Sequence, residues 1–221
     1  MATHLLNAIE ELKKKVLALS TLVEERVADA TRALELRDSD LAANVIAGDN
    51  QIDDVEVEVE EECLKILALH QPVASDLRFI VAALKINNDL ERVGDLAVNI
   101  AERTQYIASQ PPANLALDFS TMAAKARTML KRALDALVEN DVSIAREVRT
   151  SDDEVDAMNR EMYRAVQAAL ETQTDNVQLL IHLLNVSRHL ERVADLATNI
   201  AEDVIYMIEG EIVRHRTEKY L

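Results

Sequence analysis

The segment LERVGDLAVNIAE, residues 90–102, recurs as LERVADLATNIAE at residues 190–202, one hundred positions later. Eleven of the thirteen residues are identical, and the two differences exchange residues of similar size, Gly94 for Ala194 and Val98 for Thr198. In both copies apolar residues recur at intervals of three and four, the spacing of one face of an α-helix. The sequence therefore predicts a duplicated helix that keeps the same pattern of charges.

The polar half of this duplicated helix is acidic. Successive helical residues lie about 100° apart, so the apolar positions form a core face and leave the acids on the opposite side. The acidic face carries Glu91, Asp95, Asn99 and Glu102 in the first copy, and Glu191, Asp195, Asn199 and Glu202 in the second. A solvated helix face is the simpler interpretation. However, like charges four residues apart cost a helix about 0.2–0.5 kcal/mol per pair, and solubility does not require an Asn at a fixed distance from a Glu twice.

A second row of acids precedes each copy. Asp49 and Asp53 lie four residues apart, as do Asp152 and Asp156. If the two helices lie side by side, we expect four carboxylates to meet on one outer surface of each repeat. Hard cations such as magnesium, calcium, manganese or non-haem iron take several carboxylate and amide oxygens at a time. The duplicated pattern therefore favours metal binding over a merely solvated face.

Helical periodicity extends over nearly the whole chain. The 221 residues include only three Gly and three Pro, well below average usage of about 7% and 5%, so long helices with few loops are expected. The helices predicted are 1–36, about 39–69 with a bend near Gly48, about 75–109, about 114–139, 141–172 and 175–216. Asp38 or Ser39 is expected to cap the second helix, and Ser75 or Asp76 the third.

The order of these helices repeats. A shift of 103 residues aligns 27–53 with 130–156, and a shift of 100 aligns the two acidic helices. The fold class predicted is all-α, with two tandem three-helix bundles. The first repeat would span residues 1–109 and the second 114–221, joined by a linker at 110–113 that contains the double proline. VEVEVEEE at 55–62 fits a strand locally, but it continues a helical apolar stripe, so a helix is expected there.

Composition excludes several classes of function. The formal net charge of −16 argues against nucleic acid, whose phosphates require clustered Lys and Arg. No apolar run approaches the roughly 18 residues of a membrane span, so any membrane association would pass through a partner. The single Cys63 allows no disulfide within the chain and suggests a reducing cytosol. Cys63 lies on an apolar stripe, which favours packing over nucleophilic chemistry.

A carboxylate-bridged metalloenzyme is the alternative to a non-enzymatic metal-binding protein. Ferritin-like di-iron enzymes use Glu-x-x-His motifs on inward-facing helices, and no such motif occurs here. His182 and His189 fall opposite the acids on the helix, so they are expected to pack rather than to ligate.

Three segments resemble the PhoU family of accessory regulators of bacterial phosphate uptake. HQPVASDLRFIV, residues 70–81, is similar to that family's turn into its third helix, while residues 87–101 and 187–201 are similar to its paired acidic motif. The resemblance covers nearly the whole chain. It implies two three-helix bundles related by pseudo-twofold symmetry, with multinuclear metal clusters on the bundle surface. The ligands it implies are Asp49, Asp53, Glu91, Asp95 and Asn99, and Asp152, Asp156, Glu191, Asp195 and Asn199. Iron, manganese, zinc and magnesium are the candidate metals.

The same resemblance implies a function without catalysis. PhoU-like proteins bridge the ABC phosphate transporter, through its ATPase subunit, and a sensor histidine kinase, and they restrain phosphate uptake and the phosphate-starvation (Pho) response. The resemblance also implies a homodimer, located in the cytoplasm and peripheral to the inner membrane through its partners. The second repeat has TQTDNVQLLI in place of the HQPVASDLR turn. Within that turn, Asp76 and Arg78 could form a cap and a surface pair, or a partner contact.

Overall fold

The computed structural model describes residues 2–112, 115, 117–171 and 176–213, and side chains from His4 onward. These residues are helical apart from short connections, as the all-α prediction requires. The helices are α1 (Ala2–Leu36), α2 (Ser39–Ala47), α3 (Asn50–His70), α4 (Ala74–Ser109), α5 (Phe119–Glu139), α6 (Val142–Leu170) and α7 (Val177–Glu209). The segment 55–62 is helical, with Val59 buried and Val57 half exposed.

The bend predicted near Gly48 is confirmed as a break between α2 and α3. The Arg26 side chain of α1 fills this break: its Nη2 donates a hydrogen bond to the Gly48 carbonyl oxygen at 3.1 Å, and its Nη1 lies 3.4 Å from the Asn44 and Val45 carbonyl oxygens. A Cβ atom added to Gly48 would lie 2.1 Å from that Nη1. The glycine therefore allows a cation to cap the C-terminus of α2, where the helix dipole favours positive charge.

The start of the second predicted helix was predicted correctly. The Asp38 carboxylate accepts hydrogen bonds from the Asp40 and Leu41 backbone N–H groups at 3.0 and 2.9 Å. The prediction that Ser75 or Asp76 caps the third helix is wrong. Helical structure begins at Ala74, and the preceding Val73 makes no side-chain cap hydrogen bond. The chain turns at residues 71–73 and resumes helical hydrogen bonding at once, which places both polar residues inside the first turn of α4.

Two other helix limits differ from the prediction. The helix expected from about 114 begins at Phe119, because the Asp118 carboxylate caps it by accepting from the Thr121 N–H at 2.9 Å. The helix expected to reach about 216 ends at Glu209, because Gly210 adopts a left-handed conformation with φ 76°. Residues 113 and 114, at the predicted junction of linker and second repeat, lie outside the described residues, as do 172–175 and 214–221.

The duplicated helices α4 and α7 pack against each other at the centre of the molecule. Their apolar faces are buried, including Val93 and Ile100 of α4 and Val193 and Ile200 of α7. Around them, α1, α2 and α3 cover α4, while α5 and α6 cover α7. The acidic faces are thereby left at the surface.

Packing explains one of the two differences between the duplicated segments. A Cβ atom on Gly94 would lie 2.9 Å from the Cδ1 atom of Ile52 on α3. In the second repeat, Ala194 is buried at the matching position, and the residue in register with Ile52 is Val155, which is one carbon atom smaller. Relative to the first repeat, the second repeat gains a methyl group on α7 and loses one carbon atom on α6, so the total side-chain volume at this contact is conserved.

Two contacts near the HQPVASDLR turn link the repeats, and the first shows where Arg78 packs. Arg78 Nε donates a long hydrogen bond of 3.5 Å to the carbonyl oxygen of Met207, and its guanidinium carbon lies 3.7 Å from the position of a Cβ on Gly210. Arg78 therefore reaches the C-terminal end of α7 rather than pairing locally with Asp76. Nearby, the Lys85 ammonium lies 3.2 Å from the buried carboxylate of Asp203.

Candidate metal-binding surfaces

The first acidic cluster, defined as Asp49, Asp53, Glu56, Glu91 and Asp95, lies where α3 packs beside α4. Ile52 and Val59 of α3 are fully buried, and this orientation turns the acids of α3 toward those of α4. The expectation that the two rows of carboxylates share one outer surface of the repeat is met by this geometry.

The pKa values of several carboxyl groups in this cluster are raised, in part by the charges of their neighbours. The pKa of Glu91 is raised above its usual value, first by loss of hydration and then by the charges of Asp95 and Asp53. The pKa of Asp49 is raised by partial burial and by Asp53 and Asp95, and Arg26 opposes this shift. Loss of hydration and the charge of Asp53 likewise raise the pKa of Asp95. Each repulsion crosses from one helix to the other or runs along one face, so negative charge accumulates on this surface.

The second acidic cluster, defined as Asp152, Asp156, Glu191 and Asp195, lies between α6 and α7. Burial raises the pKa of Asp152 to about 6, with further contributions led by Asp195 and Asp156. Burial and neighbouring carboxylates also raise the pKa values of Glu191 and Asp195. This cluster is the more deeply buried of the two. Its helix α6 continues unbroken past Asp152, whereas α2 and α3 are separated at the equivalent Asp49.

The asparagines predicted as ligands lie at the edge of these clusters. Asn99 and Asn199 line a cleft of about 280 Å³ between the repeats, together with Asp95 and Asp195. The Asn99 Nδ2 atom donates to the Asp95 backbone oxygen at 2.8 Å. The structure therefore brings the predicted carboxylates of each repeat together, and it places the two asparagines toward the pseudo-twofold axis.

Two buried polar residues that sequence analysis missed connect the helices beneath the clusters. Asn87 Nδ2 donates to the backbone oxygen and a carboxylate oxygen of Glu56, at 3.0 and 2.8 Å. In the second repeat, Ser187 Oγ donates to Asn159 Oδ1 at the matching positions. The register of the two repeats could have revealed this contact. Residue 187 is equivalent to residue 87 under the shift of 100, and residue 159 is equivalent to residue 56 under the shift of 103, so both partners are polar in both repeats.

Glu202 and the two histidines of α7 contact residues outside the acidic clusters. Glu202 pairs with Arg149 of α6 at 3.2 Å, and both side chains are largely buried, so this acid is neutralised outside the cluster. His182 stacks on Tyr106 with ring centroids 4.1 Å apart. Burial and the Arg103 charge lower the pKa of His189 to about 4. Both histidines lie on the α4 side of α7, away from the acids, as predicted.

The donor chemistry fits a hard cation, although the side chains are not arranged as a finished ligand set. Among the described residues, no group of three or more His, Cys, Asp and Glu side chains is positioned to hold one metal ion. Like charges repel, which spreads the carboxylates across the surface. Carboxylate side chains on adjacent helices can rotate toward a cation, which would relieve the repulsion that contributes, after loss of hydration, to their raised pKa values.

No helix among the described residues has the combined length and apolarity to cross a lipid bilayer.

Comparison with known proteins places the chain in a family. The PhoU domain matches residues 16–104 and 119–204. The chain is 39% identical over 212 residues to the phosphate-specific transport system accessory protein PhoU homolog of Aquifex aeolicus, covering 96% of each protein. It is 34% identical to the homolog of Clostridium acetobutylicum, over 93% of this chain and 94% of that protein.

Solved structures agree in fold. The crystal structure of PhoU from Pseudomonas aeruginosa superimposes with a TM-score of 0.89 at 34% identity, over 93% of this chain and 99% of the other. The phosphate transport system regulatory protein PhoU of Streptococcus pneumoniae gives a TM-score of 0.81 at 30% identity, over 92% and 96% of the two chains. With two matched PhoU domains and relatives similar over nearly its full length, the chain belongs to the PhoU family.

Proposed function

We propose that this protein is a non-enzymatic regulator of phosphate homeostasis that binds metal ions through its two acidic clusters. Its relatives are named as accessory or regulatory proteins of phosphate transport. The observation that carries the metal assignment is the convergence of carboxylates from two helices in both repeats, with mutual repulsion in each cluster. Iron, manganese, zinc and magnesium are the candidate ions.

The proposed role is that of an adaptor. The protein would contact the ATPase subunit of the ABC phosphate transporter and the sensor histidine kinase at the cytoplasmic face of the inner membrane, as a homodimer, and would restrain uptake and the Pho response when phosphate is plentiful. Support comes from the full-length similarity to phosphate transport accessory proteins and from the net charge of −16, which suits docking on basic cytoplasmic surfaces.

Metal analysis tests the first half of the proposal. Purified protein is stripped with EDTA, reconstituted separately with each candidate ion, desalted, and analysed for bound metal. We expect at least one ion to remain bound to the wild type and to be lost from a variant with Glu91, Asp95, Glu191 and Asp195 replaced by Ala. The matched control replaces four exposed acids outside the clusters: Glu25, Asp29, Glu61 and Glu161. Metal at background in the wild type would remove the cluster assignment.

Signalling tests the second half. The same two variants are expressed in a host that lacks its own PhoU protein, and transcription of phosphate-starvation genes is measured in phosphate-rich medium. We expect repression by the wild type and the control variant, and derepression with the cluster variant. Affinity capture with the purified ATPase subunit and the kinase cytoplasmic region measures docking directly. Failure to retain either partner would contradict the adaptor role whatever the metal result.

A further inference from the structure

A groove between α6 and α7 concentrates positive charge in an otherwise acidic protein. It has a volume of about 430 Å³, and its lining includes Arg160, Arg164, Arg188, Tyr163 and two asparagines. At one end it reaches Glu191 of the second acidic cluster. The chain as a whole carries 40 acidic and 24 basic residues, so three arginines around one concavity are not explained by composition.

The repeat register shows what occupies the same positions in the first repeat. The shift of 103 residues between α3 and α6 is preserved in the fold, because fully buried Val59 and Cys63 correspond to buried Met162 and Val166. The two surfaces are therefore equivalent in backbone, and their side chains can be compared one by one.

The comparison shows that the second repeat is the more positively charged at these positions. Arg164 corresponds to Glu61, and Tyr163 corresponds to Glu60. Arg188 corresponds to Asn88 under the shift of 100 residues. Packing of the bundle needs no arginines at the exposed positions 164 and 188, because the first repeat has Glu61 and Asn88 there.

Two of the arginines are available to a ligand. Arg164 and Arg188 are exposed, and neither makes a hydrogen bond or ion pair with another described residue, although Arg188 is near enough to Glu191 to attract its carboxylate. Arg160 is held by Asp156 at 3.2 Å. Tyr163 presents an exposed ring beside them, at 56% exposure.

The chemistry of these groups indicates a class of ligand. Guanidinium groups bind phosphate oxygens in bidentate fashion, and arginine is favoured over lysine where planar recognition matters. The volume lies in the range of small-molecule sites and exceeds what one orthophosphate would fill. An exposed aromatic ring can stack on a nucleobase. We propose that this groove binds a small anion carrying two or more linked phosphates, such as an inorganic oligophosphate or a nucleoside triphosphate.

An acidic protein segment suits the groove less well. Stable protein interfaces bury about 1,200 Å² or more around an apolar centre. Of the residues that line the groove, Tyr163 is the one large hydrophobic side chain that is exposed. The proposal goes beyond the regulatory function above and does not depend on bound metal.

Isothermal titration calorimetry in EDTA and about 50 mM salt tests the site, where phosphate contacts are weakly screened. The probes are orthophosphate, pyrophosphate, tripolyphosphate and ATP, with a short polyglutamate peptide as the alternative occupant. We expect affinity to rise with the number of linked phosphates. The Arg164→Gln/Arg188→Gln variant should bind tripolyphosphate at least tenfold more weakly, since it loses two guanidinium groups that donate charge-assisted hydrogen bonds to phosphate oxygens. ATP binding tighter than tripolyphosphate, and weakened by Tyr163→Leu, would identify the nucleotide as the preferred member of the class.

The matched control is Arg146→Gln, which removes a guanidinium from the same helix where it pairs with Glu209 at 3.0 Å, outside the groove. This variant should bind as the wild type does. The proposal is overturned if no phosphate probe binds at low millimolar concentration, or if the double variant binds as tightly as the control. Binding of polyglutamate but not of oligophosphates would assign the groove to a protein partner instead. Because EDTA is present throughout, the outcome is separate from that of the metal analysis.

Discussion

Removing one charge from the second acidic cluster should stabilise the metal-free protein. Asp152 is the test residue, because partial burial and the charges of Asp195 and Asp156 raise its pKa to about 6 from an ordinary value of 3.8. Each pKa unit corresponds to about 1.36 kcal/mol, so ionising this group in the folded protein costs at most roughly 3 kcal/mol. The side chain is partly exposed, and solvent screening reduces the figure to about 1 kcal/mol.

The sign of the pH dependence follows from proton binding. Between about pH 4 and pH 6 the folded state holds a proton on Asp152 that the unfolded state has released, so stability falls as pH rises through this range. Above pH 6 the penalty is complete. Asp152→Asn removes it, and we expect a rise in the thermal midpoint of about 2–4 °C at pH 7.5 for a chain of this size. At pH 5 the gain should be about half as large.

Thermal unfolding followed by circular dichroism in EDTA measures this difference. Glu161→Gln is the control, because it removes one negative charge from an exposed position on the same helix and reports the general relief of net charge. If Asp152→Asn lowers the midpoint, or raises it no more than Glu161→Gln does, the reasoning from clustered repulsion is wrong. Adding a metal that the wild type binds should reverse the order of the two proteins, since the cation needs the carboxylate.

Three further substitutions test packing and capping, each by urea denaturation. Gly94→Ala should destabilise the protein by about 1–3 kcal/mol because its methyl group would lie 2.9 Å from Ile52. Adding Ile52→Val should restore most of the lost stability. If the destabilisations of the two single variants simply add in the double variant, the exchange of volume between the helices is refuted. Gly48→Ala should destabilise by about 1–2 kcal/mol by displacing Arg26 from the end of α2, whereas in an Arg26→Ala background the same change should be nearly neutral. Asn87→Ala should cost about 1–3 kcal/mol because it removes the hydrogen bonds to Glu56, and the pair Asn87→Ser with Glu56→Asn, copied from the second repeat, should cost less.

Periodicity and duplication were sufficient to predict the arrangement of helices and the two acidic faces. The core positions of α4 and α7 follow from spacing alone, because a helix with one apolar stripe has one way to bury it. The pairing of Asp49 and Asp53 with Glu91 and Asp95 followed from placing neighbouring helices side by side. Assignment to the PhoU family also followed from sequence motifs, and the family match and the solved structures confirm it.

Features decided by contacts between distant parts of the chain could not be predicted. The cap that Arg26 provides at Gly48 depends on a side chain from another helix. The orientation of Asn99 toward the opposite repeat depends on how α4 packs on α7. In each case the deciding partner is far away in sequence, and local propensity contains no record of it.

The contact of Arg78 with the end of α7 affects the order in which the protein can be completed on the ribosome. Arg78 and its acceptor on Met207 are separated by 129 positions, and α4 also packs along α7. At about 5–20 residues per second, a nascent first repeat of roughly 100 residues waits about 5–20 s for the helix that seals it. During that interval the part of α4 that packs on α7 stays exposed, and transiently exposed apolar surface of this kind favours aggregation.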